Sequence, residues 1–267
     1  MHNHLSRSAS ATNKDSSNNI IMVPTTYKPQ LAVAELAESL LGRPILHSDG
    51  VHPSAIAHLE NTFGIAMPEA LQTFYLSVGN LKTFTHGCFD FLSPTEMIVD
   101  NDNLFFLYDS HADSYWGVNL ESGRMVSRAN DLGSIVRCKQ EGIQDLDLFI
   151  STIMCKQLLL TNEKQQTLLN RGTQYLAMLE YGEFNNNTKS RRFLAHVNEW
   201  WNKVVHNTNV SFFRSQDTLL CNLESPLGDN GQCKILLKTS NKKFIEELVD
   251  HYGFWRLIKN VPNLNIL

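Results

Sequence analysis

The sequence predicts an α+β protein: a mostly antiparallel sheet flanked by helices, followed by a second, smaller α+β unit. Three observations carry this expectation. Residues 33–80 place apolar side chains at helical spacing, punctuated by Gly42, Pro44, Gly64, Pro68 and Gly79. From residue 89 the period changes to short apolar runs bounded by Asp, Asn, Ser and Gly, the pattern of strands joined by tight turns. Beyond residue 160 both patterns recur.

Length and composition set the frame. At 267 residues the chain exceeds the usual single-domain size. The division expected is a disordered tail over 1–25, a first domain over 26–160 and a C-terminal unit over 161–267. A hydrophobic content of 42% with 19% charged residues is enough for a real core in a soluble protein. The five cysteines are widely spaced and contain no C-x-x-C pair, which points to free thiols in a reducing, cytoplasmic setting. No run reaches the length of a membrane-spanning helix, and the Ser-, Asn- and Thr-rich N-terminus lacks the apolar centre of a secretory signal.

Taken in order, Leu31–Leu41 reads as a helix stopped by Gly42 and Pro44. Ile56, Leu59 and Phe63 make one apolar stripe that ends at Gly64, where a left-handed cap costs glycine least. Met67-Pro68-Glu69 restarts the chain as a second helix, with Leu71, Phe74, Tyr75 and Val78 in phase and Gly79 closing it. Strands follow at Phe89–Leu92, Leu104–Tyr108, Tyr115–Val118, Met125–Ser127 and Ser134–Arg137. Asp145 opens a helix carrying Leu146, Phe149, Ile150, Ile153 and Met154.

These residues carry a family resemblance. The segment Glu60-Asn61-Thr62-Phe63-Gly64-Ile65, then Met67-Pro68-Glu69-Ala70-Leu71, then Phe74-Tyr75-Leu76 and a Gly79-Asn80 turn resembles the opening of the SUKH superfamily. Met67 stands where that family has Leu, and Gly79-Asn80 reverses the usual order. An apolar strand ending in Asp109, a strand with Trp116, a turn at Gly123 into Val126, and the helix start Leu146–Ile150 resemble the remainder of the domain. The match covers roughly residues 50–155. It implies a SUKH-like α+β fold and a non-enzymatic protein-binding role. That role is either an immunity protein that neutralises a bacterial toxin, often a nuclease, or a regulatory scaffold that binds a host protein.

Past residue 160 no family is discernible. Thr167–Tyr181 reads as helical, and Phe193, Leu194, Val197, Trp200, Trp201, Val204 and Val205 fit a second helix with a broad apolar face. Val210–Arg214, Thr218–Leu223 and Gln232–Lys238 read as strands, with a turn cluster at Pro226–Gly231. Asn241 caps a last helix bearing Phe244, Ile245, Leu248, Val249 and Tyr252, ended by Gly253.

Motifs for chemistry fall away one by one. No phosphate-binding glycine loop, nucleophile elbow or H-E-x-x-H helix occurs. Asp100–Asn103 lacks the glycine and glutamate of a calcium loop, and His86, Cys88 and Asp90 find no completing cluster for a metal. No catalytic, metal or cofactor site is expected. One enzymatic alternative would need His196, His206 and His251 to converge in the last third.

Charge is more informative. Thr83–Gly123 holds seven carboxylates and no Lys or Arg, whereas Lys189–Lys259 holds eleven basic residues against seven acidic. Such a surface would compete with nucleic acid for the cationic groove of a nuclease. The partner that the resemblance implies, and that this charge suits, is a protein toxin encoded by a neighbouring gene, with neither nucleic acid nor membrane bound directly. Candidate contact residues are Asp100, Asp102, Asp109, His111 and Asp113 on loops flanking the strands. Trp200 and Trp201 join them, since adjacent helical positions let one indole face the core while the other reaches an interface.

Overall fold

The computed structural model describes residues 32–130, 135–137, 145–160, 175–181, 188–206, 210–215, 218–223, 233–248, 250 and 255–257. The expected N-terminal tail, the Pro226–Gly231 turn and the end of the last helix at Val249, Tyr252 and Gly253 lie outside those residues. The fold is α+β, with two antiparallel sheets flanked by helices.

Helices α1 (Val33–Leu41), α2 (Pro53–Phe63), α3 (Glu69–Val78) and the single turn α4 (Lys82–Thr85) open the chain. Gly64 caps α2 at φ 65°, as its position predicts. Glu60 braces the corner that follows: its Oε1 accepts from Met67 N at 2.9 Å and from Gln72 Nε2 at 3.3 Å. Pro68 sits at the N-cap of α3, one position before the first helical residue. The stripe Leu71, Phe74, Tyr75 and Val78 is buried, but Phe63 is 47% exposed and leaves the stripe expected of it. As the last residue before the cap, Phe63 lies where the chain turns away from the core. Gly79 is right-handed at φ −60°, and glycine is needed for space, because a Cβ would meet Tyr75 O at 2.7 Å.

Six strands form the first sheet: β1 (Phe89–Phe91), β2 (Ile98–Asp100), β3 (Asn103–Asp109), β4 (Ser114–Asn119), β5 (Met125–Ala129) and β6 (Ile135–Arg137). Their order is β1-β3-β4-β5-β6, with β2 on the same edge of β3 as β1. Helix α5 (Leu146–Leu160) follows. The second sheet has the order β12-β7-β11-β10-β9-β8. It is built from β7 (Tyr175–Tyr181), β8 (Asn202–His206), β9 (Val210–Ser215), β10 (Thr218–Leu223), β11 (Cys233–Thr239) and β12 (Trp255–Leu257). Helix α6 (Thr188–Trp200) precedes β8, and α7 (Lys242–Glu247) follows β11, capped by Asn241 Oδ1 accepting from Phe244 N at 3.0 Å.

Two expected helices are corrected. Tyr175–Tyr181 is strand β7, although Leu176, Ala177, Met178, Leu179 and Glu180 are good helix formers. A seven-residue ladder to β11 on one side and β12 on the other outweighs that local preference. The other expected helix stops at Trp200, and Val204 and Val205 lie in β8. A register shift between Lys203 and Val205 against β9 lets both valines be buried in the same core.

The main core is continuous across both sheets. Phe74, Phe91, Phe106 and Phe149 form a chain of ring contacts with centroids 4.3–6.2 Å apart, and Trp116 joins Phe149 at 5.6 Å. The same cluster takes in Val204, Val205, Phe212, Leu219, Cys221 and Leu236 from the second sheet. Alternate residues Phe213, Leu220, Ile235 and Leu237 point to the other face, where they pack with Phe193 and Val197 of α6 and Ile245 of α7. Helix α5 thus lies between the sheets, and every residue from Phe149 to Leu159 is buried.

That burial includes Lys156, 2% exposed. Desolvation pulls its ammonium down from 10.5 to about 8, against smaller support from Cys221 and Asp109. Between those values the unfolded chain holds a proton that the native state has lost, so stability rises with pH there. Cys221, pushed up to about 12 by burial, and Cys155, raised well above its ordinary 9.0, act in the opposite direction once unfolded thiols ionise. Urea unfolding should therefore show a shallow gain in stability, roughly 0.4 kcal/mol per pH unit near pH 8, and a decline beyond about pH 9. Lys156→Met should abolish the rise and keep the decline.

Candidate functional site

Strand parity divides the first sheet into an inner face toward α5 and an outer face turned away from it. Leu104, Phe106, Leu107, Trp116 and Val118 belong to the core side. A register shift between Phe105 and Leu107 keeps both Phe106 and Leu107 inward and returns Tyr108 to the outside. Directly paired residues share a face, so Asp90, Tyr108, Tyr115 and Arg128 form one row across β1, β3, β4 and β5. Ile98, Phe105, Gly117 and Val126 form the next row, and Asp100, Asn103 and Asn119 the one after.

The side chains on this face are tied together. The Tyr108 and Tyr115 rings lie 5.1 Å apart. The Arg128 guanidinium sits 4.8 Å from the Phe105 ring centroid and 5.6 Å from that of Tyr115, and its Nη1 pairs with Asp100 Oδ2 at 3.3 Å. Gly117 makes room for this arrangement: a Cβ there would meet Phe105 Cδ1 at 2.8 Å and Leu104 O at 2.5 Å. At the other end of the row Tyr108 Oη donates to Asp113 Oδ1 at 2.7 Å, and Asn130 Nδ2 donates to the same oxygen at 3.1 Å. The bond to Asp113 holds the Tyr108 phenol above its ordinary value. Asp113 itself is left-handed, φ 46°, a conformation aspartate tolerates better than most residues.

The candidate contact residues divide accordingly. Asp100 and Asp113 belong to the outer face. Asp102 is exposed at the β2–β3 turn, where its backbone O accepts from Leu120 N at 2.7 Å. Asp109 is 2% exposed and points inward, so its carboxylate is not on the acidic surface. Its Oδ1 accepts from His111 N at 2.9 Å and Ala112 N at 3.2 Å, which fixes the β3–β4 turn. His111 is exposed, its Nδ1 3.9 Å from that same oxygen. Trp200 and Trp201 sit apart, beyond the second sheet: Trp200 is the last residue of α6, and Trp201 lies past its end and not on the adjacent helical position expected of it. Trp201 packs against Phe244 at 6.1 Å, while Trp200 is 68% exposed with the His196 ring 6.3 Å away.

Asp90, Tyr108, Tyr115 and Arg128 were not expected at the site. Their signal is positional: Tyr108 and Tyr115 flank the β3–β4 turn symmetrically, and only the hairpin register places Asp90 and Arg128 beside them. Among the described residues no group of three His, Cys, Asp or Glu side chains could hold a metal ion. Cys88, Cys155 and Cys221 are free thiols, and burial raises each above its ordinary value. His206 Nδ1 lies 2.8 Å from Ser211 Oγ, and His251 lies outside the described residues. No protein-family model, curated protein or solved structure matches the chain.

Replacing Asp109 by Ala removes the acceptor for two turn amides and should lower unfolding free energy by about 2 kcal/mol. Asp102→Ala, at the exposed β2–β3 turn, should change it by less than about 0.5 kcal/mol. Urea titration of both variants checks the contrast.

Proposed function

We propose that the chain is a non-enzymatic binding protein that neutralises a protein toxin with a cationic, nuclease-like groove, and that the outer face of the first sheet is its contact surface. One observation carries the reading: Asp90 and Asp113 flank the Tyr108–Tyr115 pair on the sheet, Asp100 and its partner Arg128 lie toward the other end of the same face, and the stretch Thr83–Gly123 supplies no Lys or Arg. Tyrosine and arginine are the residue types that dominate interface energies, and a sheet holds them with little entropy left to lose. The surrounding carboxylates present the charge of a phosphate backbone to such a groove and speed capture. The resemblance of residues 50–155 to the SUKH superfamily, whose bacterial members are commonly immunity proteins that neutralise a toxin, supports the same reading. Free thiols at Cys88, Cys155 and Cys221 suit a cytoplasmic location. No helix among the described residues is long and apolar enough to cross a membrane.

A second reading, a regulatory scaffold, is favoured by Trp200 alone, whose exposed indole at the end of α6 could anchor a host protein. The two readings differ in salt dependence. The protein should be co-expressed with the product of the neighbouring gene and purified at low and high salt. A complex that relieves growth arrest, weakens with salt and is lost in Asp90→Lys/Asp113→Lys is the expected result. A complex indifferent to salt and to that reversal would move the interface to Trp200. No complex and no rescue would overturn the immunity reading.

A further inference from the structure

The outer face already contains one arginine site, occupied by the protein's own Arg128. Its guanidinium lies against the Phe105 and Tyr115 rings and pairs with Asp100, a combination of aromatic face and carboxylate. Arg128 turns toward the β2 end of the sheet. At the β1 end the same combination recurs without a cation among the described residues. Tyr108 lies between Asp90, its direct cross-strand neighbour, and Asp113, its hydrogen-bond partner.

We infer that Tyr108, Asp90 and Asp113 form a guanidinium site that receives an arginine side chain from the bound protein. This deepens the proposed function and rests on the same surface. The oxygens needed are at hand. Both donors to Asp113 use Oδ1, and Oδ2 accepts from no described residue. Asp90 Oδ1 accepts only the long 3.3 Å contact from Gly87 N, and its other oxygen accepts none among the described residues. Donation from the Tyr108 hydroxyl to a carboxylate enriches the ring in electron density, which favours a cation against its face. Arginine suits this geometry better than lysine: its planar guanidinium stacks on a ring while its edge still donates two parallel bonds to a carboxylate. Lysine would satisfy the charge but not the plane.

The test uses acetylated hexa-arginine and hexa-lysine peptides, titrated into the full chain at low salt by calorimetry, with tyrosine ring resonances followed by NMR. The arginine peptide should bind about tenfold tighter and shift the Tyr108 and Tyr115 resonances. Tyr108→Leu should bring the two peptides to equal affinity, Tyr108→Phe should retain the preference, and Asp113→Asn should weaken both. Equal binding to the unaltered protein, or a preference that survives Tyr108→Leu, overturns the site. Failure here is separable from failure of the immunity reading. A Tyr108-dependent arginine preference without a complex with the neighbouring gene product leaves the site standing. A toxin complex indifferent to Tyr108→Leu removes the site and leaves the immunity reading.

Discussion

The enclosure of α5 is the constraint on which the rest of the structure depends. A helix with apolar residues on every side and no solvated face from Phe149 to Leu159 cannot lie on a surface, so it must be covered from every direction. The first sheet covers it through Phe106 and Trp116, the second through residues such as Phe212, Cys221 and Leu236, and α1, α3 and α4 close the remaining flank. The two sheets are layers over one helix, and neither could be lifted away without exposing it.

Apolar packing alone would leave these layers free to slide, and the buried polar groups of α5 limit that. Gln157 accepts from Cys88 N and Phe89 N and donates back to Phe89 O, fixing the helix to the start of β1. Lys238 reaches from β11 to donate to Leu158 O at 2.9 Å, fixing it to the second sheet. Unmade, such bonds would cost more than they contribute when formed, so they select one register among many of similar apolar contact.

Legibility in the sequence followed how local each cause is. Gly64, Asn241 and the α3 stripe act within a few residues of themselves, and those elements stand where the sequence predicts them. β7 was not legible, because its strand state is imposed by β11 and β12, more than fifty residues away in its main pairing. Val204 and Val205 suited a continued helix equally well until pairing with β9 decided otherwise. At the candidate site, Asp100 and Asp113 could be found because acidic turn residues are visible as such. Asp109 has the same appearance in the sequence, but strand parity turns it inward. Tyr108, Tyr115, Asp90 and Arg128 become a group only through register, which no single segment contains.

The β3–β4 turn carries one carboxylate to each side of the sheet within five positions: Asp109 to the core, where it supports the buried Lys156, and Asp113 to the outer face. The turn is therefore a mechanical link through the thickness of the sheet. On the proposed binding mode, load placed on Asp113 would be borne by a loop whose other end is anchored beside α5. Affinity at the outer face and core integrity would then be linked quantities, and by reciprocity a looser interior would be felt at the surface as weaker grip.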